Sequence, residues 1–233
     1  MKNDFEGGEN RMTAITQHES PHASDRSPSV AFAPSDFDVF TIPGLEPRMD
    51  ALIANVRPKL NLLGETLAPD LTALAGAEMF PHVAKHARRT VHAPNDTWVA
   101  WAANKRGYKM LPHFQFGMFA THAFAQFAII YESDKKTVFA KALDRDLKKI
   151  KKLVPSSYVW SMDHMKPEGT AHRDMTDDAF RRMAEKLAGT KQSEVLVGIR
   201  LDRDDPLLAD GPALVETIRG TFETLMPLYR MSF

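Results

Sequence analysis

Apolar residues recur at helical spacing from Leu45 to Leu63, with Met49, Leu52, Ile53, Val56, Leu60 and Leu63 on one stripe. Pro58 is expected to kink or divide that helix. A shorter helix is predicted over Pro69–Ala75, stopped at Gly76. The period then changes. Trp98–Ala103, His113–Phe119 and Ala123–Tyr131 read as strands, with Asn104-Lys105-Arg106-Gly107 as a hairpin turn in which Gly107 is available for positive φ. Asp134–Val154 reads as one amphipathic helix carrying Phe139, Leu143, Leu147, Ile150 and Val154 on its apolar side and lysines on the other. Tyr158–Met162 is a short strand, Thr176 caps a helix over Asp177–Ala188, Glu194–Leu201 is a strong strand, and a last helix starts at Pro212. Helices around hairpin-connected strands predict an α+β fold, a layered sandwich with a mainly antiparallel central sheet flanked by helices.

Residues 1–35 break the pattern. They are rich in Ser, Pro, His and Asp without periodicity and cannot bury enough apolar area to offset ordering, which predicts a disordered N-terminal extension before a single α+β domain over 36–233. The 233 residues, 43% apolar and 26% charged, can build a sizeable core. No apolar run approaches the roughly 20 residues of a membrane span, and the first twelve residues lack the apolar core of a secretory signal, so no membrane partner is expected. Cysteine is absent, which excludes disulfides, thiolate metal sites and thiol nucleophiles and fits a reducing cytoplasm.

Charge singles out one window. The chain has zero formal net charge, yet Met79–His113 holds six Lys/Arg residues against the single carboxylate Asp96, so the window carries +5 and the remainder −5. If Pro81 opens a helical turn, His82, His86 and Arg89 share one face, with Lys85 and Arg88 beside them. Such a face is neutralised by a phosphate or carboxylate ligand, by acids from the rest of the chain, or by water. The spacing His82-x-x-x-His86 is that of a zinc helix, but Val83 stands where the glutamate belongs, and no metal or cofactor is expected.

The strand pairing offers a second feature. If Ala120-Thr121 is a two-residue turn, Gln115 lies across from Gln126 and His113 across from Ala128, making a polar strip that is either a pocket floor or a wet sheet face. Trp98 and Trp101 point to opposite faces, so at most one lines a site. Tyr108, beside Lys105 and Arg106, is expected to cover its own strand. Asp163-His164 forms no dyad on a continuous strand, though the nearby turn Lys166-Pro167-Glu168-Gly169 leaves its geometry open. Asp202, Asp204 and Asp205 read as a helix-capping turn. No nucleophile elbow, phosphate-binding loop or dinucleotide fingerprint is present.

The blocks FTIPGLEPRM (40–49), EMFPHVAKHARRTVHAPNDTWVAWAANKRGYKMLPHFQFG (78–117), FAIIYES (127–133), WSMDHMKP (160–167) and LMPLY (225–229) resemble the YktB-like family of uncharacterised bacterial proteins. The resemblance spans Phe37–Tyr229 and implies an α+β layered sandwich, with no activity, cofactor or catalytic residue to transfer. Two functions follow from the residues themselves. One is a cytoplasmic module binding an anionic small molecule or nucleic acid through His82, Lys85, His86, Arg88, Arg89, Lys105, Arg106, His113 and Gln115. The other is a hydrolase or transferase of a phosphorylated small molecule, with His82, His86 or His113 as acid–base group.

Overall fold

The computed structural model describes residues 30–233. Seven strands form one sheet: β1 (Phe80–Val83), β2 (Asp96–Ala102), β3 (His113–Phe119), β4 (His122–Ile129), β5 (Val159–Ser161), β6 (Thr170–Ala171) and β7 (Val195–Asp202). Their spatial order is β1-β2-β3-β4-β7-β5-β6, and every adjacent pair is antiparallel. The helices are α1 (Pro34–Asp38), α2 (Leu45–Ala51), α3 (Arg57–Ala75), α4 (Lys136–Arg145), α5 (Leu147–Leu153), α6 (Asp177–Gly189) and α7 (Gly211–Arg230). This is the predicted α+β class. Among the described residues no helix is long and apolar enough to cross a membrane.

The helices gather on one face of the sheet. Val99, Trp101, Phe114, Phe116, Met118, Phe127, Trp160, Val195 and Val197 alternate onto that face and share one core with residues of α3, α4, α5, α6 and α7. Trp101 is fully buried there and donates its indole N–H to the Gly64 carbonyl at 2.8 Å. Among the described residues the opposite face carries no helix. Ala100, Ala102, Tyr108 and Ile130 form a small second cluster on it, with Trp98 against them. The two tryptophans thus divide as their alternation predicts. Close approach shapes this second face: a Cβ on Gly198 would lie 2.6 Å from the Gln126 Cα and collide with the Ala125 carbonyl oxygen. Gly198→Ala must therefore push β7 from β4, and is expected to cost about 3 kcal/mol and lower the thermal midpoint by roughly 6–12 °C, read by scanning calorimetry.

Several elements differ from expectation for physical reasons. The body begins before Phe37: Val30 and Phe32 are each 2% exposed and Pro34 opens α1, so the expected extension enters the core at Val30 and Phe32, while residues 1–29 lie outside the described residues. The run does divide at Pro58 as expected, but through a widened i→i+5 turn over Leu52–Val56 that leaves Pro58 in the first turn of α3, where its missing N–H costs least. Pro69 sits inside α3, because Leu60, Leu63, Leu67 and Leu71 are at most 1% exposed and that burial outweighs one lost hydrogen bond. The lysine-rich helix divides at Asp146, although its apolar stripe is buried throughout. Gly76 ends α3 in the left-handed conformation, Thr176 accepts from the Ala179 N–H at 3.1 Å, and Asp205 accepts from the Leu207 N–H at 2.9 Å, all as predicted.

Candidate functional site

The helix expected from Pro81 is not formed. Phe80–Val83 instead makes the edge strand β1, which pairs only with β2 and so tolerates a proline without an N–H. His82, His86 and Arg89 therefore share no helical face. The His82 Nε2–H donates to the Asn104 carbonyl at 2.9 Å, tying β1 to the 104–107 turn. That turn closes with Gly107 N–H on the Asn104 carbonyl at 3.3 Å, without positive φ at Gly107. It is part of a longer connection, residues 103–112, rather than a tight hairpin. Past β1 the chain reverses at His86, the only described non-glycine residue with positive φ, at 52°.

Part of the basic window does converge. Lys85, His86, Arg88, Arg89 and Lys109 surround a hollow of about 290 Å³ whose apolar lining includes Trp98 and Tyr108. The Trp98 indole N–H donates to the Tyr108 hydroxyl at 3.0 Å, which fixes the two rings together; Tyr108 belongs to the 103–112 connection rather than to a strand and covers β2. Lys105 and Arg106 are exposed on the turn and line neither this hollow nor the larger cleft described below. Among the described residues Lys85, Arg88, Arg89, Lys105 and Arg106 form no salt bridge, whereas Lys109 meets Glu132 at 3.0 Å. His86 adds no charge near neutrality. Burial first, then Arg89 and Arg57, push its pKa down to about 4, and its Nε2 meets the Thr97 hydroxyl at 3.2 Å.

The polar strip is present in the predicted register, with Gln115 opposite Gln126 and His113 opposite Ala128, but it is neither wet nor a pocket floor. His113 is 0% and Gln115 3% exposed. The His113 Nδ1–H donates to the Leu111 carbonyl at 2.7 Å, Gln115 donates to His113 Nε2 at 2.9 Å, and Gln126 donates to Gln115 Oε1 at 2.9 Å. Complete burial holds the His113 pKa down at about 4. Both ring nitrogens are occupied within the protein, so the chain of bonds organises the sheet and leaves His113 nothing to offer a ligand.

The most organised ionisable pair was not assembled from sequence. The strand ends at Ser161, and the turn that follows carries His164 back to Glu194, the residue before β7. Both Glu194 oxygens lie 2.8 Å from His164 Nδ1, and Glu194 Oε2 accepts the His164 backbone N–H at 2.9 Å. Glu194 is only 3% exposed. The ring meets Trp98 edge-on at 6.2 Å and stacks on Tyr131 at 6.4 Å. Burial opposes its protonation, yet the Glu194 bond and charge, helped by Asp96 and Asp163, raise its pKa above the ordinary value. Asp163-His164 was visible as a dipeptide, but its partner lies thirty residues away. The one signal was an acid heading an apolar strand.

His164 and Glu194 also line a larger cleft of about 810 Å³ between the 162–170 turn and α6. Near both hollows lies Asp96, 1% exposed, whose Oδ1 has no hydrogen-bond partner among the described residues. Burial raises its pKa to about 6, against the pull of His164 and Arg89.

The family described as a domain of unknown function, DUF1054, matches residues 32–229. A UPF0637 protein of Bacillus velezensis is 48% identical over 201 residues, covering 86% of this chain and 96% of the relative. A UPF0637 protein of Bacillus licheniformis is 46% identical over 204 residues, covering 88% and 97%, and one of Bacillus cereus is 45% identical over 200 residues, covering 86% and 96%. The chain belongs to this bacterial family of unknown function, the one that its central sequence block resembles.

Proposed function

We propose that the protein binds a small anionic, phosphate-bearing ligand in the hollow formed by Lys85, Arg88, Arg89, Lys109, Trp98 and Tyr108. The observation that carries this reading is charge without counter-charge. Thirteen ion pairs occur among the described residues, yet Lys85, Arg88 and Arg89 belong to none of them while crowding one concavity. Cations held together in a partly enclosed hollow repel one another, and an anion relieves that repulsion. The two arginines offer forked donors suited to phosphate oxygens. At about 290 Å³ the hollow is at the small end of ligand pockets, which favours a compact small molecule over an extended nucleic-acid strand.

The hydrolase or transferase reading draws no support from the histidines that first motivated it. His82 is engaged with Asn104, His113 is bonded at both nitrogens, and His86 is uncharged and bonded to Thr97. Titrating the protein with pyrophosphate tests the binding reading. The wild type is expected to bind, and Arg88→Ala/Arg89→Ala to lose about 100-fold in affinity, the loss of two charge-assisted hydrogen bonds, with its thermal midpoint unchanged. Equal affinity in wild type and double variant sinks the reading.

A further inference from the structure

The larger cleft has a different character from the basic hollow. Four of its lining residues are methionines, Met162, Met165, Met175 and Met183, unbranched and polarisable side chains that adapt to an apolar guest of irregular shape. Two of its three acids are paired, Glu194 with His164 at 2.8 Å and Asp163 with Lys166 at 3.4 Å, while Glu168 acts on the half-buried Arg200 without an ion pair among the described residues. Arg182 and Lys186, one turn apart on α6, also line the cleft and form no salt bridge among the described residues. The His164 ring has its Nδ1 on Glu194 and its Nε2 without a partner among the described residues. The cleft thus combines an apolar, pliable wall with two cations outside any ion pair among the described residues and one carboxylate-oriented imidazole.

We propose that this cleft is a second ligand site, one that takes a small amphiphilic anion. Its carboxylate or phosphate head is received by His164 Nε2–H and the Arg182/Lys186 pair, and its alkyl body by the methionines. The volume of about 810 Å³ lies in the range of small-molecule pockets, which run to roughly 1,000 Å³. Glu194 acts as a positioning residue: buried and accepting both the ring and the backbone N–H of His164, it fixes the ring and directs the free nitrogen away from itself. The charged groups that act on His164 are Glu194, Asp96 and Asp163, the buried His113 lies within reach and is held uncharged, and the rings of Trp98 and Tyr131 flank it. All three charges favour the imidazolium, so the head-group donor is lost only as pH rises.

Calorimetric titration of the full chain with decanoate, decyl phosphate and decanol tests the site. One of the two anions at least is expected to bind about tenfold or more tightly than decanol, since a bond to a charged group contributes a tenfold factor or more. The better anion identifies the head. Arg182→Ala/Lys186→Ala, both exposed on α6, should weaken that anion at least fivefold and leave pyrophosphate affinity unchanged. Affinity should fall about tenfold between pH 6 and pH 9 in the wild type and show no such fall in His164→Gln. Absence of anion binding, equal binding of decanol, an unaffected α6 double variant, or a flat wild-type pH profile would each overturn the proposal. The pyrophosphate titration reads the basic hollow by itself, so failure of one site is distinguishable from failure of the other.

Discussion

Glu194→Ala is expected to lower the thermal midpoint by about 6–12 °C at pH 6, which corresponds to roughly 3 kcal/mol for a domain of this size. The magnitude follows from what the carboxylate holds. It accepts two bonds from one residue, the His164 ring and backbone N–H, and lies 3.4 Å from the Tyr131 N–H. The side chains of the pair are only 17% and 4% exposed, so solvent screens little of the interaction. Removing one partner of a buried pair costs about 3–5 kcal/mol, because the other is left uncompensated, and the residual exposure of His164 sets the value at the lower end. Glu194→Gln, which keeps one acceptor oxygen but no charge, should fall between wild type and alanine.

The same pair fixes a direction with pH. The folded-state pKa of His164 is raised above the value of about 6.5 for an unfolded histidine. The fold therefore binds that proton more tightly than the unfolded chain. This stabilisation is fully present below about pH 6.5 and is lost as pH rises through the folded pKa. The difference in midpoint between wild type and Glu194→Gln is expected to be largest at pH 6 and smaller at pH 9. A gap that widens with pH contradicts the ion pair.

How far the sequence reveals this molecule depends on the range over which each feature is determined. The β3–β4 hairpin was legible to the residue pair, Gln115 on Gln126 included, since a two-residue turn and a period of two leave one register. Caps at Thr176 and Gly76 were legible because they are local. Pro81 misled: the proline that starts a helix also suits an edge strand, and β1 was decided by pairing with Val99–Ala102, beyond the window of local pattern. The site was less legible than the fold. A basic window shows where cations lie in the chain, whereas the reversal at His86 selects Arg88 and Arg89 for the hollow and the 103–112 connection brings only Lys109 to it. His164 with Glu194 required a contact across thirty residues, which no spacing rule encodes.

Asp96→Asn is expected to stabilise the protein at pH 8 by about 2–3 kcal/mol, a rise of roughly 4–12 °C in midpoint, and to leave it unchanged at pH 4. The wild-type carboxyl is 1% exposed, its Oδ1 lacks a partner among the described residues, and its pKa is raised from 3.8 to about 6 by burial. For a raised carboxyl the sign is opposite to that of an ion-paired one: the fold holds the proton more tightly, so stability declines as pH climbs from about 4 to about 6 and stays lower above that. Asparagine matches the shape and removes the charge, and its unmet amide donors take back part of the gain. A protein keeps such a cost where the charge has work to do. Asp96 lies close enough to Arg89 and His164 for each to pull on its pKa, so it sets the field between the two proposed anion sites. Removing its charge should therefore also tighten pyrophosphate binding several-fold at pH 8. Unaltered stability between pH 4 and pH 8 would show that water reaches the carboxyl, and unaltered pyrophosphate affinity would separate Asp96 from the basic hollow.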